Sequence, residues 1–161
     1  MATPKHTLVA LVEDKPGVLT RMASLFRRRG FNIESIAVGR SESPHLSRMT
    51  IVITGPSGIV EQVRKQVDKI VNVVRVVEIS SDDMIARELA LIKVKADSTT
   101  RSEIMQIVDI FRANIVNVTT DMVTVEATGD EEKIESLCNL LSGFGIQELA
   151  RTGRIAMNRS S

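Results

Sequence analysis

The fold of this chain is decided by residues 8–35, LVALVEDKPGVLTRMASLFRRRGFNIES, which predict a strand, a glycine turn, an amphipathic helix and a second strand. Residues 8–12 form an apolar run that is too short for a helix and is bounded by the turn residues 14–17. From Val18 onward, apolar residues recur every three or four positions, which is the spacing of a helix with one buried face. Gly30 can adopt the left-handed conformation that ends such a helix.

The turn from the first strand into the helix is the informative point of this stretch. A helix N-terminus presents backbone N–H groups that have no partner within the helix, and it attracts carboxylates and phosphates. Gly17 lacks a Cβ atom, so a ligand can approach the backbone closely there. On these residues alone, the simpler interpretation is that Pro16 and Gly17 only shape a tight turn.

Composition narrows the class of protein. The 161 residues suffice for one domain or two small ones, and a net charge of +1 with 2% aromatic residues does not favour nucleic-acid binding. A single cysteine excludes an internal disulfide framework and fits a reducing compartment. The sequence shows no signal peptide and no apolar run long enough to cross a membrane, so we expect a cytoplasmic protein.

The first half of the chain predicts the element order βαββαβ. Two strands at Asn32–Arg40 and Arg48–Thr54 flank a turn-rich segment, which indicates a hairpin. A helix follows, with Ser57 as its expected N-cap and an i,i+4 pair from Glu61 to Lys65. We expect its apolar face to consist of Ile59, Val63, Val67, Ile70 and Val71, with a fourth strand at Val73–Ile79.

After a predicted linker at residues 80–83 the same order repeats. A strand at Leu89–Ala96 precedes a helix with capping-box spacing at Thr100 and Glu103, and a hairpin spans Thr120–Asp121. The helix that begins near Asp130 is expected to bury Ile134, Leu137, Leu140 and Leu141 and to end at Gly143, before a last strand at Ile146–Ala150. The chain is therefore expected to adopt an α+β fold with two ferredoxin-like βαββαβ domains, residues 1–80 and 84–161. Because the strands are rich in Val and Ile, we expect sheets or edges to pair between the halves, between chains, or both.

No catalytic or metal site can be assembled from the sequence. His6 and His45 lack further ligands at metal spacing, and Cys138 has no adjacent base, so a packed thiol is the simpler interpretation. The glycine-containing segment at residues 54–58 lacks the lysine of a phosphate-binding P-loop. We therefore interpret the chain as non-catalytic.

Seven segments contain the most distinctive sequence: EDKPGVL (Glu13–Leu19), RRGFNIESIAVG (Arg28–Gly39), LSRMTIVI (Leu46–Ile53), KQVDKIVNVVRV (Lys65–Val76), RELALIKVKA (Arg87–Ala96), DIFRANIVNVT (Asp109–Thr119) and ARTGRIAMNR (Ala150–Arg159). The first of these resembles the start of an ACT domain. Together, in order along almost the whole chain, they resemble the regulatory small subunits of acetolactate synthase.

This resemblance implies a regulatory subunit without catalytic activity of its own. Members of the family bind a catalytic large subunit, raise its activity and confer feedback inhibition, usually by valine, in branched-chain amino-acid biosynthesis. The resemblance places thiamine diphosphate, magnesium and FAD on that partner, and no cofactor on this chain. It also implies a homodimer formed through the ACT domains.

The family's effector pocket lies where two ACT domains pair side by side. Carried over by motif, the residues of one chain are Asp14, Gly17, Val18 and Leu19, and those of its partner are Asn32 and Ile33. The effector carboxylate would lie on the N–H groups at the helix end, and Asn32 offers a donor and an acceptor to a zwitterion. Without the resemblance, Leu19 and Ile33 would be interpreted as ordinary core residues.

Two other functions remain open at this point. The chain can be a stand-alone ACT-domain amino-acid sensor that controls another enzyme or transcription, although no basic DNA-reading helix supports the latter. It can also be an enzyme, although acid, base, nucleophile and metal ligands are lacking.

Overall fold

The computed structural model describes residues 4–160 and contains nine strands and four α-helices within that range. In chain order they are β1 (Lys5–Glu13), α1 (Val18–Arg28), β2 (Asn32–Arg40), β3 (Leu46–Thr54), α2 (Val60–Asp68), β4 (Val73–Ile79), β5 (Met84–Lys95), α3 (Arg101–Ile110), β6 (Asn114–Val118), β7 (Met122–Gly129), α4 (Glu131–Ser142), β8 (Ile146–Arg151) and β9 (Ile155–Asn158). The chain divides into two compact units, residues 4–85 together with 154–160, and Ala86–Gly153. None of the helices within the described residues is long and apolar enough to cross a membrane.

The first unit is an antiparallel sheet of order β2-β3-β1-β4 with two helices packed against it. The alternation of apolar residues along β1 and β3 places Leu8 and Ala10, with Ile51 and Ile53, on the face that meets the helices, where all four are fully buried. α1 contributes Val18, Met22, Leu25 and Phe26 to the same core. The predicted start of the first helix at Val18 and the predicted bounds of β2 and β4 are confirmed.

Three details predicted for the second helix of this unit are wrong. Ser57 is not an N-cap: residues 57–59 form a 3-10 turn, and α2 begins at Val60 without a side-chain cap. Val71 lies beyond the end of the helix and is 71% exposed. Glu61 pairs with Arg64, one turn on at i+3, instead of Lys65, because the guanidinium reaches both carboxylate oxygens at 2.7–3.2 Å.

The second unit repeats the topology, with the strand order β6-β7-β5-β8. Its core comprises alternate residues of β5 and β7 together with one face of each helix: Ala90, Ile92, Val94, Ala96, Ile104, Val108, Val123, Val125, Ala127, Ile134, Leu137 and Leu141. The predicted hairpin across Thr120–Asp121 is confirmed as the antiparallel pair β6–β7. The shared order confirms the prediction of two βαββαβ units in an α+β fold.

Two predictions for the helices of this unit are wrong. Thr100 and Glu103 do not form a capping box; Asp97, three residues before Thr100, accepts hydrogen bonds from the N–H groups of Thr99 and Thr100. Leu140 is 53% exposed, because the buried face of α4 passes through Leu137 and Leu141. Asp130, in contrast, is the N-cap of α4 and accepts from the N–H group of Lys133 at 2.9 Å.

The chain ends with a strand that the sequence patterns did not predict. β9 follows a left-handed turn at Gly153 and pairs with β5, whose first two residues belong to the same unit as β9. The sequence analysis includes this segment in the second predicted domain, residues 84–161. In the structure, the contacts of the segment assign it to the first compact unit. The assignment of residues 1–80 and 84–161 as separate functional domains stays a prediction.

Candidate functional site

The corner between β1 and α1 leaves backbone donors without partners. Gly17 is the N-cap of α1 with φ 87°, a left-handed conformation that favours glycine. No side chain caps this end, and its first turn contains no acidic residue. The first helical hydrogen bond runs from Arg21 N to Gly17 O, and the N–H groups of Gly17, Val18 and Leu19 have no acceptor within residues 4–160. These donors and the positive end of the helix dipole favour a bound anion.

Two residues that the sequence analysis did not single out lie at this corner. The Arg21 guanidinium passes over Gly17, where Nη1 is 3.1 Å from the position that a Cβ atom would take. Asn72, with φ 77°, orients its amide so that the nitrogen donates to Glu13 Oε2 at 3.1 Å and the oxygen accepts from Arg21 Nη2 at 3.2 Å. The only sequence signal for Arg21 is its place in the first turn of a helix, where a cation opposes the dipole.

The predicted site residues at this corner differ in how far their side chains are exposed to a ligand. Val18 is 3% exposed and faces the core, so only its backbone is available. Leu19 is 43% exposed, which excludes the interpretation that it is an ordinary core residue of this unit. Asp14 is exposed, and its N–H group donates to the His45 carbonyl at 3.1 Å.

Asn32 and Ile33 lie at the opposite end of the same sheet. Asn32 is paired with Thr54, which pairs with Lys5 at the start of β1, whereas the corner follows the end of β1. Eight residue steps of strand separate the two ends, or about 27 Å. Asn32 is exposed and Ile33 packs partly against the core. A single chain therefore does not bring the two sets of predicted site residues together.

The second unit has the equivalent corner, between β5 and α3, but its own carboxylate occupies it. Asp97 Oδ1 accepts from the N–H groups of Thr99 at 2.8 Å and Thr100 at 3.1 Å, and from both threonine hydroxyls. The hydroxyl and N–H donors of Thr99 hold the pKa of Asp97 below its ordinary range. In the second unit, the N–H groups of the turn that leads into α3 are thus satisfied internally by Asp97.

Removing this internal carboxylate with Asp97→Ala is expected to lower the melting temperature of the second unit, because the hydrogen bonds that hold the turn before α3 are lost. The folded pKa of Asp97 is depressed, so its contribution is present above the pKa of the unfolded chain and disappears as the pH falls through the folded value. Thermal melts at pH 7 and pH 3 should therefore differ more for the wild type than for the variant. Asp109→Asn, an exposed change on the same helix, serves as control; a pH dependence equal in the wild type and in Asp97→Ala would contradict this assignment.

Two further side chains that could be reactive, those of His6 and Cys138, are at least partly buried. His6 is 9% exposed, and its Nδ1 lies 2.9 Å from Glu78 Oε2. Burial raises the pKa of the Cys138 thiol, which disfavours the nucleophilic thiolate. Within residues 4–160, no cluster of three or more His, Cys, Asp or Glu side chains is arranged to hold a metal ion.

Two protein-family models match the chain, and both describe the same family. A model of the acetolactate synthase (AHAS) small subunit-like ACT domain matches residues 8–75, and a model described as the small subunit of acetolactate synthase matches residues 87–160. The two matches cover most of the chain and meet near the boundary between the two compact units.

Individual relatives agree with the family models. The chain is 52% identical to the acetolactate synthase small subunit of Mycolicibacterium smegmatis, over 98% of this chain and 92% of that protein. It is 52% identical to a probable acetolactate synthase small subunit of Archaeoglobus fulgidus, over 98% of both. The crystal structure of an acetolactate synthase small subunit from Thermotoga maritima superposes with a TM-score of 0.90 at 45% identity, covering 98% of this chain and 99% of that chain.

Proposed function

The chain belongs to the family of acetolactate synthase small subunits, and from this premise we propose that it binds the catalytic large subunit, raises its activity and confers feedback inhibition by valine. In this proposal the thiamine diphosphate, magnesium and FAD belong to the large subunit, and the complex works in the cytoplasm on branched-chain amino-acid biosynthesis. The observation that supports it most is the open helix end at Gly17, which carries three unsatisfied N–H groups in an ACT-type unit.

The proposed effector site combines charge recognition with an apolar surface. The carboxylate of valine lies on the N–H groups of Gly17, Val18 and Leu19, with the Arg21 guanidinium nearby as a further positive charge. Asp14 accepts from the effector ammonium group. The exposed side chain of Leu19 contacts the branched aliphatic side chain.

The second half of the site comes from another copy of the chain. β2 is an edge strand of the first sheet. Its last residue, Arg40, lies at the same end of the strands as the last residue of β1, because both are level with the start of β3. When two β2 strands pair antiparallel about a twofold axis, Asn32 of one copy reaches the level of Arg40 of the other, close to that copy's corner. The effector is then held between Gly17 of one chain and Asn32 and Ile33 of its partner, and the pair forms a homodimer.

Replacing Val38 with aspartate is expected to convert this dimer to monomer at micromolar concentration. Val38 is 53% exposed on the edge strand β2, and a charge on an edge strand opposes pairing with another strand. Val74, also 53% exposed, lies on β4 at the opposite edge, so Val74→Asp is a matched control that should leave the dimer intact. Sedimentation velocity distinguishes monomer from dimer. A dimer that survives Val38→Asp but dissociates in Val74→Asp would show that the chains pair through β4, and would contradict pairing through β2.

Feedback inhibition requires that valine bind the inhibiting arrangement better than the active one. Coupling free energies of this kind are typically about 1–3 kcal/mol. A ligand that bridges two copies meets this requirement naturally, because its affinity depends on how the two chains are placed.

The direct test of this function is a reconstitution. The purified chain is added to an acetolactate synthase large subunit, and pyruvate turnover is measured with and without valine. We expect stimulation by the chain and inhibition by valine. Valine binding without stimulation would instead identify a stand-alone amino-acid sensor, and turnover by the chain alone would identify an enzyme.

A further inference from the structure

The segment after the second unit returns to the sheet of the first. Arg154 Nη1 donates to the Thr7 hydroxyl of β1 at 3.0 Å, and Arg48 Nη2 of β3 donates to the Ala156 carbonyl at 2.7 Å. At the end of the segment, Arg159 N donates to Asp83 O at 2.9 Å and Ser160 Oγ lies 2.8 Å from Asp83 Oδ2. We call residues 154–160 the return segment.

The return segment lies on the face of the sheet that does not meet the helices. Thr7 and Arg48 belong to the side of β1 and β3 opposite to the core residues, together with Val9 and Thr50, which are 5% and 2% exposed. Since residues paired in register point to the same face, Arg48 shares this face with Leu11 of β1 and Gly39 of β2. The contacts thus reach the central strands, next to the strand that contains Asn32.

The attachment of this segment is mostly polar. Of the side chains in β9, only Ala156 is buried, at 4% exposure, while Ile155 and Met157 are 59% and 55% exposed. Guanidinium hydrogen bonds to β1 and β3, the pairing with β5, the contacts with Asp83 and one small apolar contact hold the segment, and they bury far less apolar surface than the continuous core of the same unit. Detachment of the segment would expose only Ala156 among the side chains of β9 and would leave the core beneath the helices intact.

The chain crosses between the two units twice, at residues 85–86 and 153–154. When the return segment is attached, both ends of the second unit are connected to the sheet that contains the proposed effector site. When it is detached, only the connection at residues 85–86 remains fixed to that sheet. Resting on the proposed function, we propose that the return segment is a latch that transmits effector binding in the first unit to the second unit, with Arg48 and Arg154 as its positioning residues.

The test uses the full chain with the large subunit. Arg48→Met and Arg154→Met each remove a guanidinium donor and keep an unbranched side chain. Valine affinity by calorimetry should stay within threefold of wild type, whereas maximal inhibition by valine should fall to less than half. Hydrogen exchange at residues 154–158 should become at least tenfold faster. Arg48→Lys, which keeps one donor, should restore part of the inhibition.

Arg75 provides the matched control, because it lies on the same face, also pairs in register with Leu11, and has no hydrogen bond or ion pair within residues 4–160. Arg75→Met should behave as wild type. Fast exchange in the segment with undiminished inhibition would overturn the latch, as would a loss of inhibition that merely follows a loss of valine affinity. A wild-type complex that does not respond to valine would instead overturn the proposed function itself.

Discussion

Gly17→Asp is expected to raise the valine concentration for half-maximal inhibition by about a hundredfold, while stimulation of the large subunit stays close to wild type. The new carboxylate would lie at the N–H groups that we assign to the effector, and its charge repels the effector carboxylate. Loss of one hydrogen bond to a charged group costs about 1.5–3 kcal/mol, which corresponds to a factor of about ten to a hundred and is increased by the repulsion. Inhibition curves of the reconstituted complex give the result directly.

Gly30→Asp separates the effect of charge at the site from backbone strain. Gly30 has φ 78°, close to the 87° of Gly17, and no heavy atom lies within 4 Å of the position of its Cβ. Both variants therefore force an aspartate into the left-handed region, at a cost of about 1–3 kcal/mol each. Equal loss of valine sensitivity in the two variants would show that strain alone causes the effect and would reject the assignment of the site.

Arg151→Met is expected to lower the free energy of unfolding of the second unit by about 3 kcal/mol. Arg151 Nε lies 2.6 Å from Oε1 of Glu88, whose side chain is only 6% exposed, and its Nη1 also pairs with Glu135. The two carboxylates raise the pKa of Arg151, with Glu88 as the largest cause. Removing the guanidinium leaves the Glu88 carboxylate buried without a cationic partner, which costs more than the pair contributes.

Variants of the two carboxylates that contact Arg151 show which ion pair causes the loss of stability. Glu88→Gln combined with Arg151→Met should recover much of the stability, because no buried charge is left. Glu135 is 52% exposed, so Glu135→Gln should cost at most about 1 kcal/mol. Urea titrations followed by far-ultraviolet circular dichroism suit a chain without Trp or Tyr. An Arg151→Met variant no less stable than Glu135→Gln would contradict the importance of the buried pair.

The element order could be predicted because local patterns decide it. The bounds of β2 and β4 follow from alternating or continuous apolar residues that end at turn formers, and the start of α1 follows from the change in apolar spacing at Val18. The corner at Gly17 could also be predicted, since a glycine between a strand and a helix already limits what the backbone can do there.

Tertiary contacts decided the features that the sequence analysis missed. Val71 and Leu140 are apolar and close to helical spacing, yet exposed, because helix rotation and helix length depend on what packs against each helix. Thr100 has the spacing of a capping residue, but its hydroxyl accepts from the Asp97 N–H group and donates to the Asp97 carboxylate instead. β9 has only four residues and joins the first unit although the whole of Ala86–Gly153 lies between them in the chain, which no local pattern reveals.

The measurement closest to the central claim is the amide spectrum of the isotope-labelled chain titrated with valine. The amide signals of Gly17, Val18 and Leu19 should shift, together with those of Asn32 and Ile33 across the proposed dimer interface. The signals of Thr99 and Thr100, whose N–H groups already donate to Asp97, should stay unchanged. Shifts confined to the second unit, with none at residues 17–19, would contradict the claim that valine binds at the first helix end.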